Sequence, residues 1–483
     1  MVPTVFGLIS IAIGLLLLVR GTSLDLLRFM LLSTLFSGSA AILMPALGGA
    51  AISPAHLVLA FLLARILAPG SREYAHIAPA VTLNLFLVIY ALYGFLSAFL
   101  LPRLFAWQIY VAPLRPVTIT GLFDTVPLVF TNQNITSAVY LVGTMLAGVC
   151  ATIVARKPES TRKIVSTLCL MAWIHAAFGV LGVVLTNIGL GEVLNIFRNG
   201  SAAQLEQSYN GLVRMTGVFP EPSYYASYAF GLFVFVFECW MRDIRPRQTG
   251  SAALVLLAVL VFSTSGSAYV SLAVYGALMV IRLLLMRQQL SPRKALVVLT
   301  LALVGIIAAL GMVMIAPPLA EQLGDMFSHM TVDKADSESG RQRSFWALQG
   351  WHAFLASYGL GIGAGSFRSS SLFTAALGSM GVIGIVTLVC HIFAVFKPLR
   401  ASTYSTPRDE RLAIGSAASW TAVSILIPAA ISTASPDPGM IFAVMAGLAL
   451  EWRRRRSKVQ VGRAPFRRVS VHPMAPQAPR TRS

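Results

Sequence analysis

The sequence predicts an all-α fold, that of a polytopic integral membrane protein with about 12–13 transmembrane helices and a large outer loop. Of the 483 residues, 56% are hydrophobic and only 11% are charged, and the mean hydropathy is +0.75. A single water-soluble core cannot enclose so much apolar surface. Apolar stretches of about 20 residues, the length that crosses a bilayer, recur between charged or Pro/Gly-rich breaks. A soluble enzyme and a protein with a single membrane anchor are therefore excluded.

The spans follow one another along the chain with mostly short connections. The first has neither a basic segment before it nor an obvious cleavage site, so it is interpreted as a retained span and not as a signal peptide. Residues 1–452 form the transmembrane domain, and residues 453–483 form a basic tail whose Pro, Ser and Arg content predicts disorder. The predicted spans cover approximately residues 5–19, 29–50, 54–68, 77–101, 135–155, 164–189, 222–240, 251–264, 267–286, 295–316, 372–396, 411–431 and 439–452.

The positive charges fall mainly on one side of these spans. Of the 37 Lys and Arg residues, 29 lie in one alternating set of loops and in the tail, and 8 lie in the intervening loops. Because Lys and Arg are retained on the cytoplasmic side of short loops, the first set and the tail are predicted to be cytoplasmic. The basic residues closely follow helix ends, so anionic lipid explains the net charge of +19 more simply than nucleic acid does.

The four cysteines all lie in apolar stretches, without CxxC or metal-ligand spacing. The sequence therefore predicts neither a disulfide framework nor a metal site, and no cofactor is expected. Few ionisable residues fall inside spans, which weakly disfavours an ion-coupled carrier. Three outer loops are long enough to carry chemistry, namely residues 102–134, 190–221 and 317–371.

Glu221 lies between Pro220 and Pro222 where an outer loop enters an apolar span. The two prolines restrict the backbone and discourage helix before Pro222, so a stiff turn presents the carboxylate at a helix start. Arg214 precedes it in the same loop, and Tyr224 follows it. The nearby tyrosines are also typical of an interfacial aromatic belt, which is the favoured interpretation of the tyrosines by themselves.

A second group begins with Arg341 and Arg343 in the largest outer loop. Arginine makes bidentate, permanently charged contacts to phosphate, so the two residues are candidates for a phosphate clamp. The alternative is pairing with acidic residues just upstream, which is about as plausible for Arg341 and less so for Arg343. Those acidic residues are Asp333, Asp336 and Glu338.

Trp346, His352 and Arg368 extend this group, and a run of alternating glycines at 359–365 lies between His352 and Arg368. Glycines let backbone N–H groups approach an anion, but they also allow a loop to pack closely on a helix, and the two interpretations are balanced. The pKa range of histidine suits His352 to general-base catalysis. An interfacial position on an amphipathic helix is slightly favoured for it.

These groups, in this order and on this side, resemble the superfamily of O-antigen ligases and Wzy-type O-antigen or exopolysaccharide polymerases. The resemblance covers roughly residues 120–450. Two features depart from the family pattern: Gly266 stands after Ser265 where an Arg is usual, and Ser370 stands where ligases carry a His, which favours a polymerase. The matching segments are residues 214–228, the serine-rich bend 263–267, residues 341–346, the glycine-rich stretch 358–367 and residues 377–384.

The resemblance implies a glycosyltransferase that joins polyprenyl-diphosphate-linked oligosaccharide repeat units at the periplasmic face of the bacterial inner membrane, releasing undecaprenyl diphosphate. Membrane lipid, a chain-length regulator and export proteins are the expected partners. A ligase is the alternative enzyme, and a flippase or transporter for the same lipid-linked sugar, or a non-catalytic scaffold, are alternatives of other classes. The expected catalytic residues are Glu221 and His352, and the expected substrate-binding residues are Arg214, Arg341, Arg343, Arg368 and, for sugar stacking, Tyr224 and Trp346.

Overall fold

The computed structural model describes residues 2–45, 50–114, 123–199, 208–209, 212–285, 293–294, 296–300, 338–405 and 408–454. Helices dominate these ranges. They are α1 (Val5–Arg20), α2 (Ser23–Ser33), α3 (Pro54–Leu67), α4 (Ile77–Leu83), α5 (Leu85–Leu104), α6 (Asn132–Val154), α7 (Ser160–Asn187), α8 (Pro222–Met241), α9 (Pro246–Phe262), α10 (Gly266–Leu285), α11 (Glu338–Ala356), α12 (Leu372–Phe396), α13 (Glu410–Ser432) and α14 (Met440–Trp452).

Seven of the helices in the described ranges are long and apolar enough to cross a membrane, which is compatible with a multi-pass membrane protein. They are α5, α6, α7, α8, α10, α12 and α13. Four shorter apolar helices, α1, α3, α9 and α14, accompany them. The predicted all-α class is thereby confirmed, although this part of the chain does not reach the predicted 12–13 spans. The span predicted at 295–316 falls largely outside the described residues.

Local sequence explains where several helices begin. The Ser53 side chain accepts the His56 N–H before α3, with Pro54 as the first helical residue. Thr131 and Asn134 form a reciprocal capping box at the start of α6. Each cap satisfies a backbone N–H group that has no partner inside its helix.

The structure corrects two predicted spans. In the described part of residues 29–50, which leaves out 46–49, no helix continues through the predicted span: α2 ends at Ser33, and Ile42–Met44 pairs with Ala50–Ile52 as antiparallel strands. The span predicted at 77–101 is divided at Asn84 into α4 and α5. The Asn84 Nδ2 group donates to Ala80 O at 2.9 Å and to Thr152 Oγ1 at 2.8 Å, so both of its N–H groups are satisfied at the break.

Three small antiparallel sheets accompany the helices in this part of the chain. The first has strand order β1-β2-β3 and pairs Val2 with Leu43 and Leu43 with Ala51. The other two are two-stranded, β4-β5 and β6-β7. The strands are β1 (Val2–Pro3), β2 (Ile42–Met44), β3 (Ala50–Ile52), β4 (Tyr110–Val111), β5 (Val126–Pro127), β6 (Ser208–Tyr209) and β7 (Leu212–Val213).

The most buried of the long helices are α6, α8 and α13. Helix α14 packs closely on α6 where Gly447 meets Gly148, since a Cβ atom at Gly447 would lie only 2.3 Å from Gly148 O. Small residues allow such close backbone approach between apolar helices. The core is therefore formed by helices that have little surface left for lipid.

Basic residues from several connections meet at one end of the helices. Lys157 pairs with Glu73 at 2.7 Å, and Arg156 and Arg411 each pair with Glu451 at 3.5 Å. Helices α6, α8 and α12 all run toward this end, which we call the basic end. The connections at this end belong to the set of loops that the charge pattern predicts to be cytoplasmic. A 20-residue helix such as α8 is about 30 Å long, the thickness of a bilayer core.

Glu238 at the basic end of α8 is fully buried and is paired from two helices. Its carboxylate accepts from Arg242, from Arg282 Nη1 at 2.9 and 3.0 Å and from the Tyr275 hydroxyl at 2.8 Å. Arg282 also donates to Tyr404 O at 2.8 Å. Sequence reasoning found no obvious partner for Glu238, because α10 and the connection after α12 approach it only in the folded chain. This buried network joins α8 to α10.

The tail begins with a residue that belongs to the core. Arg453 is 1% exposed and donates to Val395 O at 3.0 Å and to Ser419 Oγ at 2.8 Å. It therefore fastens the end of α14 to α12 and α13. The sequence predicts that the disordered tail begins at Arg453, whereas Arg453 is buried in the core; the rest of the predicted tail from residue 455 lies outside the described residues.

Candidate functional site

Arg214 lies at the end of the molecule opposite the basic end, in the segment that leads into α8. Its Nη2 donates to Thr264 O at 3.2 Å. Thr264 belongs to the serine-rich bend between α9 and α10 and has a left-handed backbone, with φ of 50°. Two segments that the sequence singled out separately therefore meet at this guanidinium.

Glu221 is the residue that immediately precedes α8. Its backbone is extended (φ −153°, ψ 157°), Pro222 is the first helical residue, and its carboxylate accepts from the Ser223 hydroxyl at 2.5 Å. The start of a helix favours a negative charge, so the helix itself stabilises the carboxylate. Among the described residues, no basic nitrogen lies within 4.0 Å of this carboxylate. Its negative charge nevertheless raises the pKa of both Arg214 and Arg368. The carboxylate is thus held by its own turn beside two arginines.

Arg343 in the first turns of α11 is the third cation of this group. Its carbonyl accepts from the Ser370 hydroxyl at 2.6 Å, which fixes the beginning of α11 against the segment that carries Arg368. Burial lowers the pKa of Arg214, the charge of Arg343 lowers it further, and Glu221 opposes the shift. Burial also lowers the pKa of Arg368, where Glu221 raises it and Arg343 lowers it. We call Arg214, Arg343, Arg368 and Glu221 the arginine cluster.

Arg368 is held in place by an aromatic ring and by its own backbone. Its guanidinium carbon lies 4.1 Å from the centroid of the Trp346 ring. The backbone N–H of Arg368 donates to Ala112 O at 2.9 Å. The Nε atom is buried, and it has no acceptor among the residues that the structure describes. Trp346 lies three residues after Arg343, so both side chains leave the same side of α11. The Trp346 ring thus supports an arginine, and the sugar stacking expected of it stays a prediction.

Arg341 and His352 do not join the cluster. Both side chains are exposed on α11. At 100° per residue, Arg341 lies about 200° around the helix from Arg343, and His352 lies on the face opposite Arg343, two and a half turns further along. The sequence showed arginines at i and i+2 as a candidate pair, but a helix directs such residues to different sides.

Tyr224 is the exposed member of the tyrosine group. Its side chain is 46% exposed, and its ring meets Phe219 edge-on at 5.7 Å. Tyr225 is buried, stacks on His175 at 4.0 Å and donates to His175 O at 3.1 Å. The Tyr228 hydroxyl bonds to Thr34 at 2.6 Å. Only Tyr224 of the three is thus exposed next to Glu221.

The alternating glycines pack a loop against α12. Gly359, Gly361, Gly363 and Gly365 all have φ between 83° and 97°. The N–H groups of Ile362 and Gly363 donate to Gly378 O and Ser379 O, both at 2.9 Å. These contacts lie where α12 is kinked by the non-helical Gly381. They correspond to the close-packing interpretation of the run, and they use N–H groups that an anion would otherwise need.

Asp437 is a residue of this end that sequence reasoning missed. It lies between Pro436 and Pro438 in the connection from α13 to α14, and its Oδ1 accepts from Gly439 N at 3.0 Å. Burial raises its pKa to about 6. The connection is joined to the arginine cluster by a hydrogen bond from Ser369 N to Ala434 O at 3.1 Å.

Asp437 also lies close enough to Tyr224 for its charge to act on the Tyr224 hydroxyl, as does the charge of Glu221. Two carboxylates therefore flank the exposed tyrosine. The signal that would have found Asp437 is in the sequence: Pro436-Asp437-Pro438 repeats the Pro220-Glu221-Pro222 pattern before an apolar helix.

No protein-family model, curated protein sequence or solved structure matches this chain.

Proposed function

We propose that this chain is a membrane glycosyltransferase that polymerises polyprenyl-diphosphate-linked oligosaccharide repeat units into O-antigen or exopolysaccharide. In this proposal it lies in the bacterial inner membrane, with the arginine cluster at the periplasmic face and the basic end and the tail in the cytoplasm. The excess of Lys and Arg at the basic end supports that orientation.

The arginine cluster is the observation that carries the proposal. Arg214, Arg343 and Arg368 come from three separate segments, are partly buried and repel one another through Arg343. Desolvating like charges side by side is unfavourable unless an anion offsets it. The one acid of the cluster, Glu221, carries a single charge. A diphosphate, with several negative oxygens, would offset the repulsion that Arg343 exerts on both neighbours and would supply acceptors for the buried Arg368 Nε.

The proposed reaction uses this charge directly. The hydroxyl of the acceptor sugar attacks the anomeric carbon of the donor, and the bond from that carbon to the diphosphate oxygen breaks. The electron pair leaves with undecaprenyl diphosphate, where the arginines stabilise the negative charge as it develops. The hydroxyl proton passes to a carboxylate, for which Glu221 and Asp437 are the two candidates beside Tyr224.

The roles of two expected residues change in this proposal. His352 lies on the exposed face of α11 away from Arg343, so Glu221 and Asp437 are the better candidates for the base. Arg341 is exposed on that same face of α11, about 20° around the helix from His352, and is assigned no contact with the reacting atoms. In this proposal the diphosphate is clamped by Arg343 and Arg368, whereas the sequence suggested Arg341 and Arg343.

Ser370 favours a polymerase over a ligase. This residue stands where the ligase branch carries a histidine. Its side chain is 8% exposed, and its hydroxyl donates to Arg343 O. Where a ligase would have an imidazole, this chain therefore has a hydroxyl group, and its hydrogen bond orients the start of α11.

The proposal is tested with the purified full chain reconstituted in lipid with a polyprenyl-diphosphate repeat unit. Glycan length is read on a gel for the wild type, for Arg343→Gln and for Arg103→Gln. Arg103 is the matched control, because it is an exposed arginine near the same end that rests on Phe130, at 3.7 Å from the ring centroid, and lies outside the cluster.

We expect a ladder for the wild type and for Arg103→Gln, and a loss of roughly a hundredfold or more in polymerisation rate for Arg343→Gln. Equal ladders from all three proteins, with Arg343→Gln folded and inserted, would overturn the role of the cluster. Transfer of glycan to a different acceptor would instead identify a ligase, and movement of the lipid-linked sugar between leaflets without a ladder would identify a flippase.

A further inference from the structure

A second cationic site lies at the basic end, far from the arginine cluster. It is a cavity of about 320 Å³ between the start of α2, the segment after α3 and the turn that joins α6 to α7. Hydroxyl groups, backbone and three cationic side chains line it. The residues that matter here are Thr22, Ser23, Arg65, Gly70, Arg72 and Lys157.

The charges of the cavity are not balanced. Glu73, its one acidic residue, pairs with Lys157 at 2.7 Å and accepts from the Ser23 hydroxyl at 2.7 Å through the same oxygen. Arg65 donates only to Leu18 O, at 3.2 Å, and Arg72 has neither a hydrogen bond nor an ion pair with the residues that the structure describes. Within the described ranges neither guanidinium has an ion-pair partner, and the lining carries three cationic side chains against one carboxylate.

The walls of the cavity are held by specific hydrogen bonds. Ser71 N donates to Ala68 O at 3.0 Å, and Glu73 N donates to the Ser71 hydroxyl at 3.2 Å. Gly70, in the same turn, has φ of 79° and no atom within 4 Å of where a Cβ would lie. The turn is thus fixed in shape, and open space remains beside Gly70.

Exposed apolar side chains lie close along the chain to residues that line or brace the cavity. Val19 at the end of α1 is 77% exposed, and Leu67 at the end of α3 is 53% exposed. Tyr74, just after the lining segment, is 63% exposed and has the amphipathic side chain typical of a membrane interface. The cavity therefore opens where apolar helix surface gives way to the charged end.

We propose that this cavity binds the phosphate group of an anionic phospholipid, with Arg65 and Arg72 as its charged contacts. Arginine suits phosphate because its N–H groups match the phosphate oxygens in pairs. The apolar rim distinguishes a lipid from free phosphate, because acyl chains would lie along the exposed sides of α1 and α3. The site is independent of the proposed polymerase activity, since the arginine cluster is at the opposite end of the helices.

The test measures lipid binding by native mass spectrometry of the detergent-solubilised full chain. The probes are phosphatidylglycerol, phosphatidylcholine and inorganic phosphate as a competitor. The wild type is compared with the double variant Arg65→Gln/Arg72→Gln and with the matched control Arg162→Gln/Arg247→Gln. The control removes two exposed arginines of the same end that do not line the cavity. Thermal unfolding and gel filtration check that both variants remain folded.

We expect phosphatidylglycerol to bind the wild type and the control with equal affinity, and the Arg65→Gln/Arg72→Gln variant to bind it roughly tenfold or more weakly. Phosphatidylcholine should bind weakly to all three proteins, and millimolar phosphate should not displace phosphatidylglycerol. Equal weakening in both double variants would overturn the site, since any pair of basic residues would then suffice. Displacement by inorganic phosphate would overturn the lipid as its ligand and assign the cavity to soluble phosphate.

Discussion

Asp437 and Glu221 share one local arrangement, a carboxylate between two prolines directly before an apolar helix. They differ in their surroundings. Glu221 lies at a helix start beside arginines, whereas burial raises the pKa of Asp437 to about 6. A carboxyl group with a pKa near the working pH is suited to accept a proton during turnover. At the residue scale, Asp437 is therefore the group whose titration should be visible in the activity.

We predict that polymerisation by the wild type falls as the pH is lowered through about 6, where Asp437 becomes protonated. Asp437→Asn should be less active at pH 7.5, and its remaining activity should not show this fall. Asparagine keeps an oxygen that can accept from Gly439 N, so the turn should persist. The measurement is the initial rate of ladder formation between pH 5 and pH 8, and an identical profile in the variant would contradict the assignment.

Stability should change with the opposite sign. The folded state holds the Asp437 proton more tightly than the unfolded state, so the stability from this group is present below about pH 4 and is lost as the pH rises through about 6. Asp437→Asn is neutral at every pH and does not incur this loss. Its unfolding temperature at pH 7.5 should therefore be no lower than that of the wild type, which separates a lost proton acceptor from a damaged fold.

At the scale of elements, the glycine loop and the kink of α12 form one unit. Gly361 has φ of 87°, and a Cβ there would lie 2.5 Å from the Ser379 carbonyl. Backbone strain and a clash with backbone atoms therefore act together at this position. The loop positions Arg368 at one end and follows α11 at the other, so its packing fixes how the arginine cluster is assembled.

We predict that Gly361→Ala destabilises the protein by about 2 kcal/mol or more. Gly276→Ala is the matched control, because Gly276 lies within α10 with nothing within 4 Å of the added Cβ. Alanine is favoured over glycine in a helix, so this control should be neutral or more stable by up to about 1 kcal/mol. Unfolding of both variants in detergent checks the prediction, and equal stability would show that the loop adapts to a side chain.

At the scale of the whole molecule, the two charged ends are separated by the length of the apolar helices. Helix α8 begins at the arginine cluster and ends at the Glu238 network, and α12 begins beside Arg368 and ends at Lys397. The seven such helices in the described part of the chain are compatible with a multi-pass membrane protein. The proposed orientation then requires the two ends to face opposite compartments.

We predict that a membrane-impermeant maleimide added to intact spheroplasts labels Gln108→Cys and does not label Leu399→Cys. Gln108 is exposed near the arginine cluster, and Leu399 is fully exposed at the basic end. Labelling should reverse in inside-out vesicles. The unsubstituted protein is the background control: Cys150, Cys169 and Cys239 are buried, and its signal measures any labelling of the partly exposed Cys390. Labelling of both positions from one side would contradict the orientation.

The sequence by itself determined the all-α class, most of the long spans and the charge difference between the two ends, and it proposed Arg214, Glu221 and Arg343 as site residues. These features are encoded in contiguous residues, because apolar length, capping residues and charge act locally along the chain. The sequence also predicted the stiff Pro-Glu-Pro turn and identified the glycine run, because their backbone constraints are local as well.

Only the tertiary structure decided which of these residues meet. Trp346 turned out to support Arg368, His352 lies on the other face of α11, and Asp437 joins from a connection more than 200 residues after Glu221. The partners of Glu238 likewise come from another helix. The physical reason is that helix rotation and the packing of separate helices set the direction of each side chain, and neither is encoded in the spacing of residues within one segment.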